Sequence, residues 1–300
     1  MKTEATSFYS EGLKLDATFY LPDQGSEDPS RPIIVVCSGF MGLNSIHPAR
    51  FARALTPLGY TTFGFDYRGF AASEGTPGRV LLEEQVSDIA NAAAFASQHS
   101  NAGGGRVVLI GWGMAGGLIL EAARLIPRVA SLVCVNGFYN GKRVQRTVRG
   151  WDGYVDFMEK LDSARAEAAR TGNVIEVEPF SIYPVDSQSG EYVNNVLYRV
   201  PEFGGLFKPM LADSLLRFAA DQNLDDFGRV PLLIAHGEKN RMHPPTEAES
   251  LYRNYPGPKE MFWLWGAGHT EFMDDENPTF KRLVGAIEGF LQIEVLDKSW

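Results

Sequence analysis

The chain has 300 residues, 44% of them hydrophobic, and a formal net charge of −9. That length supports one large α/β domain or two small ones. The acidic balance and the scatter of Lys and Arg argue against nucleic acid as a partner, because binding phosphates needs clustered cations.

The first residues, MKTEATSFYSEG, lack the apolar stretch of a signal peptide. Leu13–Leu21 is rich in strand formers with partial alternation, as in an antiparallel edge hairpin. Short apolar runs follow at Ile33–Cys37, Thr61–Asp66, Val107–Gly111, Val129–Val135, Val230–His236 and Lys259–Trp265. Continuous β-branched runs of that length fit strands buried on both faces of a parallel sheet. Helices are predicted between them at Pro48–Leu58, Leu81–Gln98, Met114–Leu125, Thr246–Tyr255 and Pro278–Gln292, the second with Leu82, Val86, Ile89 and Ala93 on one face. The alternation predicts an α/β fold, a mostly parallel doubly wound sheet with right-handed crossovers.

One stretch breaks this rhythm. Residues 141–228 hold no buried-strand run, only a charged helix at Val155–Ala169, an aromatic segment (VEPFSIYPVDSQSGEYV) and a helix-like LADSLLRFAADQN. We read 141–228 as a cap inserted into a core made of residues 1–140 and 229–300. Ligands of open α/β sheets bind at the strand carboxyl ends, where such a cap sits. The longest apolar segment, Val107–Leu120, is interrupted by glycines and too short to span a bilayer. A soluble cytoplasmic protein is therefore expected, with no membrane partner. Cys37 and Cys134 end apolar runs and read as buried thiols. No P-loop, dinucleotide fingerprint or metal-ligand spacing appears, so no metal or cofactor is expected.

The strand ending at Ile110 runs into GWGMAGG and a helix, the strand–turn–helix of a nucleophile elbow. The elbow motif is G-x-S-x-G; this chain has Gly111, Trp112, Gly113, Met114 and Ala115. With CSGFMG, FDYRGFAASEG, HGEKNRMHPP and GAGHTEF in that order, the chain resembles the α/β-hydrolase superfamily, above all its acetyl-xylan-esterase-like and dienelactone-hydrolase-like members. The resemblance implies an α/β-hydrolase fold with backbone oxyanion donors at Phe40 and Met114. It places His269 at the general base and Asn240 at the acid that orients it.

Two of the three triad chemistries are thus replaced. Gly113 offers no nucleophile, so no acyl-enzyme can form there, while backbone donors survive the loss of the serine. Asn240 is expected to accept a hydrogen bond from the imidazole and fix its tautomer without stabilising imidazolium. The expected activity is that of an epimerase, isomerase, cyclase or C–C lyase acting on a small carbonyl compound, with His269 as general base. A hydrolase in which His269 activates water, and a non-catalytic small-molecule binder, are the alternatives. Ser38, Trp112, Tyr139 and Tyr183 are expected to line the substrate pocket. Ser73, Asp66 and Arg68 read as turn-forming, and His243 as exposed. The oligomeric state is open.

Overall fold

The computed structural model describes residues 1–23, 30–101 and 103–297. Among them, β1 (Lys2–Ser10) and β2 (Leu13–Leu21) form an antiparallel hairpin, followed by β3 (Ile33–Cys37), α1 (His47–Leu55), β4 (Thr62–Phe65), α2 (Leu82–Ala96), β5 (Val107–Trp112), α3 (Met114–Ala123) and β6 (Val129–Val135). Then come α4 (Gly141–Thr171), α5 (Pro179–Ile182), α6 (Ser187–Asn195) and α7 (Met210–Arg217), with no strand of the sheet among them. The chain closes with β7 (Leu232–Gly237), α8 (Pro245–Asn254), β8 (Lys259–Leu264) and α9 (Pro278–Leu291).

The eight strands form one sheet in the order β1-β2-β4-β3-β5-β6-β7-β8, antiparallel at β1/β2 and β2/β4 and parallel from β4 through β8. Successive strand residues point to opposite faces, and each face has its own core. Ile33, Val35 and Leu109 pack with α2 and α3 residues such as Ile89 and Leu118. Ile34, Val36 and Ile110 pack with Phe51 of α1 and with Leu283 and Ile287 of α9.

Three sequence expectations need correction. β1 is a full strand that polar alternation did not signal, since its outer residues are exposed. β8 is an edge strand and mostly half-buried, not enclosed on both faces. The charged helix begins at Gly141, before the predicted Val155, and breaks at Gly150, where φ is 67°. The segment between β6 and β7 is pinned at its base, where Asn140 bridges Ala219 and the Gly141 N–H donates to the Phe218 carbonyl at 2.9 Å. Beside that seam, Arg143 pairs with Asp221 and Glu247, and the Glu247 carboxylate accepts the Tyr139 N–H at 2.9 Å. No helix among the described residues is long and apolar enough to cross a membrane.

Candidate active site

Gly113 sits between the end of β5 and the start of α3 with φ 56° and ψ −122°. That is left-handed backbone, disfavoured for any residue with a Cβ. The turn is held by the Gly113 N–H, which donates to the Val135 carbonyl at 2.8 Å. It stays tight because α3 approaches the loop after β6 closely: a Cβ on Gly116 would lie 2.8 Å from Gly137 Cα. Met114 opens α3, so its N–H has no acceptor within the helix. The Phe40 N–H, in the loop after β3, has no acceptor among the described residues. Phe40, Gly113 and Met114 line one pocket.

His269 follows β8, and its Nε2 would lie 3.6 Å from a Cβ placed on Gly113. Its Nδ1 faces Asn240 Nδ2 at 3.1 Å, while Asn240 Oδ1 accepts the backbone N–H of His243 at 3.0 Å. A backbone N–H can only donate, so it fixes the amide with its oxygen toward His243 and its NH₂ toward His269. The His269 Nδ1 must then accept, and the proton of the neutral ring sits on Nε2. This reverses the expected polarity: Asn240 donates to the ring, and the resting His269 presents an N–H, not a lone pair, to the space at Gly113. Burial, aided by His243, His236 and His47, pushes its pKa well below the ordinary histidine value. The ring is therefore neutral, and its general-base role does not fit the resting tautomer.

His243 is buried, not exposed. Its Nδ1–H donates to the Asn136 carbonyl at 2.5 Å, and its Nε2 accepts the Tyr183 hydroxyl. Its Cε1 would lie 3.9 Å from a Cβ on Gly113. His236 donates from Nε2 to the His243 carbonyl at 2.8 Å. Burial holds His243 at about 3 and His236 at about 4, so both are neutral.

The pocket is an open cleft of about 70 Å³. Ser38, Phe40, Trp112 and Tyr183 line it together with Phe180, Tyr192 and Val193 from the segment between β6 and β7. None of its lining residues carries a formal charge. Tyr183 stacks on Phe40 with ring centroids 4.5 Å apart. Tyr139 does not line the pocket; it is fully buried, with its hydroxyl against the backbone at Gly137. The Thr270 hydroxyl donates to Gln188 Oε1 at 3.0 Å, tying the histidine loop to α6. Asp66, Arg68 and Ser73 serve the turn: Asp66 Oδ1 accepts the Asn44 N–H at 2.6 Å, Ser73 donates to the Asp66 carbonyl at 2.7 Å, and Arg68 pairs with Asp88.

Sequence reasoning missed His47, at the start of α1, which also lines the pocket. Its only sequence signal is a polar ring just before Pro48, shortly after the oxyanion loop. The aromatic wall from α5 and α6 was legible as composition but not as individual residues.

The family model described as serine aminopeptidase, S33, matches residues 28–276. An uncharacterised 31.7 kDa protein of the traX-finO intergenic region of Escherichia coli is 26% identical over 266 residues, covering 88% of this chain and 91% of its own. The fold is similar to that of DcsB, solved in complex with its substrate analogue, with TM-score 0.79, 19% identity, and 98% and 99% of the two chains covered. It is equally similar to the hypothetical protein PA2218 of Pseudomonas aeruginosa, with TM-score 0.80, 21% identity, and coverage of 97% and 94%. With an elbow at Gly113, a histidine after the last strand and a family match across most of its length, the chain belongs to the serine aminopeptidase S33 family of α/β-hydrolases.

Proposed function

We propose that this protein is an enzyme of the α/β-hydrolase family that acts on a small, uncharged carbonyl compound without an acyl-enzyme, as an isomerase, epimerase, cyclase or C–C lyase. The observation that carries the reading is that His269, whose Nε2 would lie 3.6 Å from a Cβ on Gly113, shares one pocket with Phe40 and Met114, whose N–H groups have no backbone acceptor among the described residues. A carbonyl oxygen bound in this pocket has these two N–H groups and the His269 Nε2–H as its candidate donors. Each well-placed donor is worth about 10²–10³ in rate when negative charge develops on that oxygen. The uncharged, largely apolar lining supports a neutral substrate. Residues 141–228 act as the cap, contributing Phe180, Tyr183, Tyr192 and Val193 to the wall.

The tautomer of His269 counts against activation of water by that ring, since a water at Gly113 would meet its N–H and not its lone pair. The test is to incubate the protein with a panel of small ketones, esters and lactones in D₂O and in ¹⁸O-water. Deuterium at carbon or a rearranged skeleton, without ¹⁸O and without an adduct in the intact mass, is expected. Product carrying ¹⁸O would establish a hydrolase. Tight binding with no turnover would establish a binding protein.

A further inference from the structure

Four buried or half-buried histidines surround this site, and three have their tautomers fixed by protein partners. Asn240 fixes His269, the Asn136 carbonyl and Tyr183 fix His243, and the His243 carbonyl fixes His236. His47 differs. Its ring lies flat on Trp112, centroids 4.6 Å apart at 15°, and no described residue bonds either of its nitrogens. Its Nδ1 is enclosed, which leaves Nε2 as the nitrogen open to the pocket that the ring lines. His269 meets the same indole edge-on at 5.7 Å, so the two imidazoles flank one side chain.

We propose that His47 is the proton-transfer residue of this pocket and that its substrate is a carbon acid flanked by two carbonyl groups. The inference rests on the carbonyl-binding reading above. A ring whose tautomer no described residue fixes can take a proton and return it; His269 and His243 cannot do so without breaking a buried hydrogen bond, and His236 does not line the pocket. Burial, with a smaller contribution from Arg50, holds His47 at about 3. It is neutral at any working pH but a weak base, so the carbon it deprotonates must be activated beyond that of a simple ketone. The carbon beside a single ketone is too weakly acidic; a second carbonyl supplies the acidity. In the step, the Nε2 lone pair of His47 takes the proton from the carbon between the carbonyls. The C–H electron pair moves into the enolate, whose oxygen receives the Phe40 and Met114 N–H groups and the His269 Nε2–H. The proton then returns from His47 to carbon or to the second oxygen, and no oxidant or co-reactant is consumed.

The probes are pentane-2,4-dione, whose keto–enol relaxation is followed by its ultraviolet absorbance, and butan-2-one, which has one carbonyl. The wild-type protein should bind both and accelerate relaxation of the dione by at least about 10²-fold. His47→Phe, which keeps a ring on Trp112, should bind the monoketone unchanged and lose that acceleration. His47→Ala should recover part of it when imidazole is added, which no packing defect would allow. If His47→Phe fails to fold, His47→Gln is read in the same way. Acceleration undiminished in these variants, or absent from a wild type that binds both probes, overturns the assignment of His47. A wild type that binds neither probe overturns the carbonyl reading beneath it.

Discussion

Asn240 offers its amide nitrogen, not its oxygen, to His269, because that oxygen is already taken by the His243 N–H. A carboxylate at this position would accept from both groups and put the imidazole proton on Nδ1. The amide puts it on Nε2. The replacement of the acid and the loss of the serine are therefore mutually consistent, since a site without a nucleophile has no hydroxyl to deprotonate. Long-range ¹H–¹⁵N correlation spectra should show His269 as the neutral Nε2–H tautomer, and Asn240→Asp should convert it to Nδ1–H. An Nδ1–H ring in the parent protein would refute the donor assignment.

Restoring the serine alone should not restore hydrolysis. A Cβ at Gly113 meets His269 only at 3.6 Å, an ordinary contact, although the positive φ costs about 1–3 kcal/mol for a residue other than glycine. Gly113→Ser would leave His269 in the wrong tautomer, a defect worth roughly 10⁴ in rate where an Asp-to-Asn change has been made in a serine protease. Gly113→Ser with Asn240→Asp should hydrolyse p-nitrophenyl acetate at least about 10²-fold faster than either single variant. Equal rates in all three, with folding verified, would mean that the elbow does not aim its side chain at His269.

Reactive phosphonate probes should leave the native protein unmodified. Position 113 has no hydroxyl, and burial pushes the Cys37 thiol far above its ordinary pKa and the Cys134 thiol up to about 12. Intact-mass spectrometry after treatment with a fluorophosphonate should return the parent mass. A stoichiometric adduct would identify a substitute nucleophile.

Acid should unfold this protein early. His47 and His243 are held at about 3 and His236 at about 4, against an ordinary value of 6.5. The unfolded chain then binds more protons than the native one, so stability rises with pH across this window. What the neutral rings contribute is fully present above pH 6.5 and is lost as pH falls toward 3 to 4. Each histidine changes stability by about 1.4 kcal/mol per pH unit inside its window. Urea midpoints taken from pH 7 to pH 4 should fall steeply, and replacing His236 by Gln should flatten the slope. A flat profile would place charged histidines in the native core.

Asp66 works in the opposite direction. Burial raises its carboxyl from 3.8 to about 6, overcoming the Asn44 N–H that lowers it, with Asp16 and Glu202 adding to the rise. The native state therefore binds the extra proton, and this group's contribution falls as pH rises from about 4 to about 6. Asp66→Asn keeps an oxygen for the Asn44 N–H and removes the buried charge. It should stabilise the protein at pH 7.5 by roughly 1–3 kcal/mol and make little difference at pH 4. A loss of stability at pH 7.5 would mean that the charged carboxylate is used by the turn.

Much of the molecule was legible in one dimension because it depends on local regularities. Buried β-branched runs at Ile33–Cys37 and Val129–Val135 end where the sequence pattern ended them, since both sheet faces are covered. The strand–glycine–helix turn at Gly113 could also be read from residue types, because few sequences tolerate a left-handed corner packed that tightly. Edges were less legible: β1 exposes most of its side chains, and its pairing partner supplies the order that periodicity did not reveal. What only the tertiary structure decided is the direction of the hydrogen bonds. The sequence places Asn240 and His269 in one site, but the tautomer depends on a third group, the His243 backbone N–H. It likewise took the fold to bury His243 beneath Tyr183, to turn Tyr139 away from the pocket, and to lay His47 on Trp112 with no hydrogen-bond partner among the described residues. The identity of a residue fixes which donors and acceptors it carries; only the neighbours brought in from distant segments fix which of them are used.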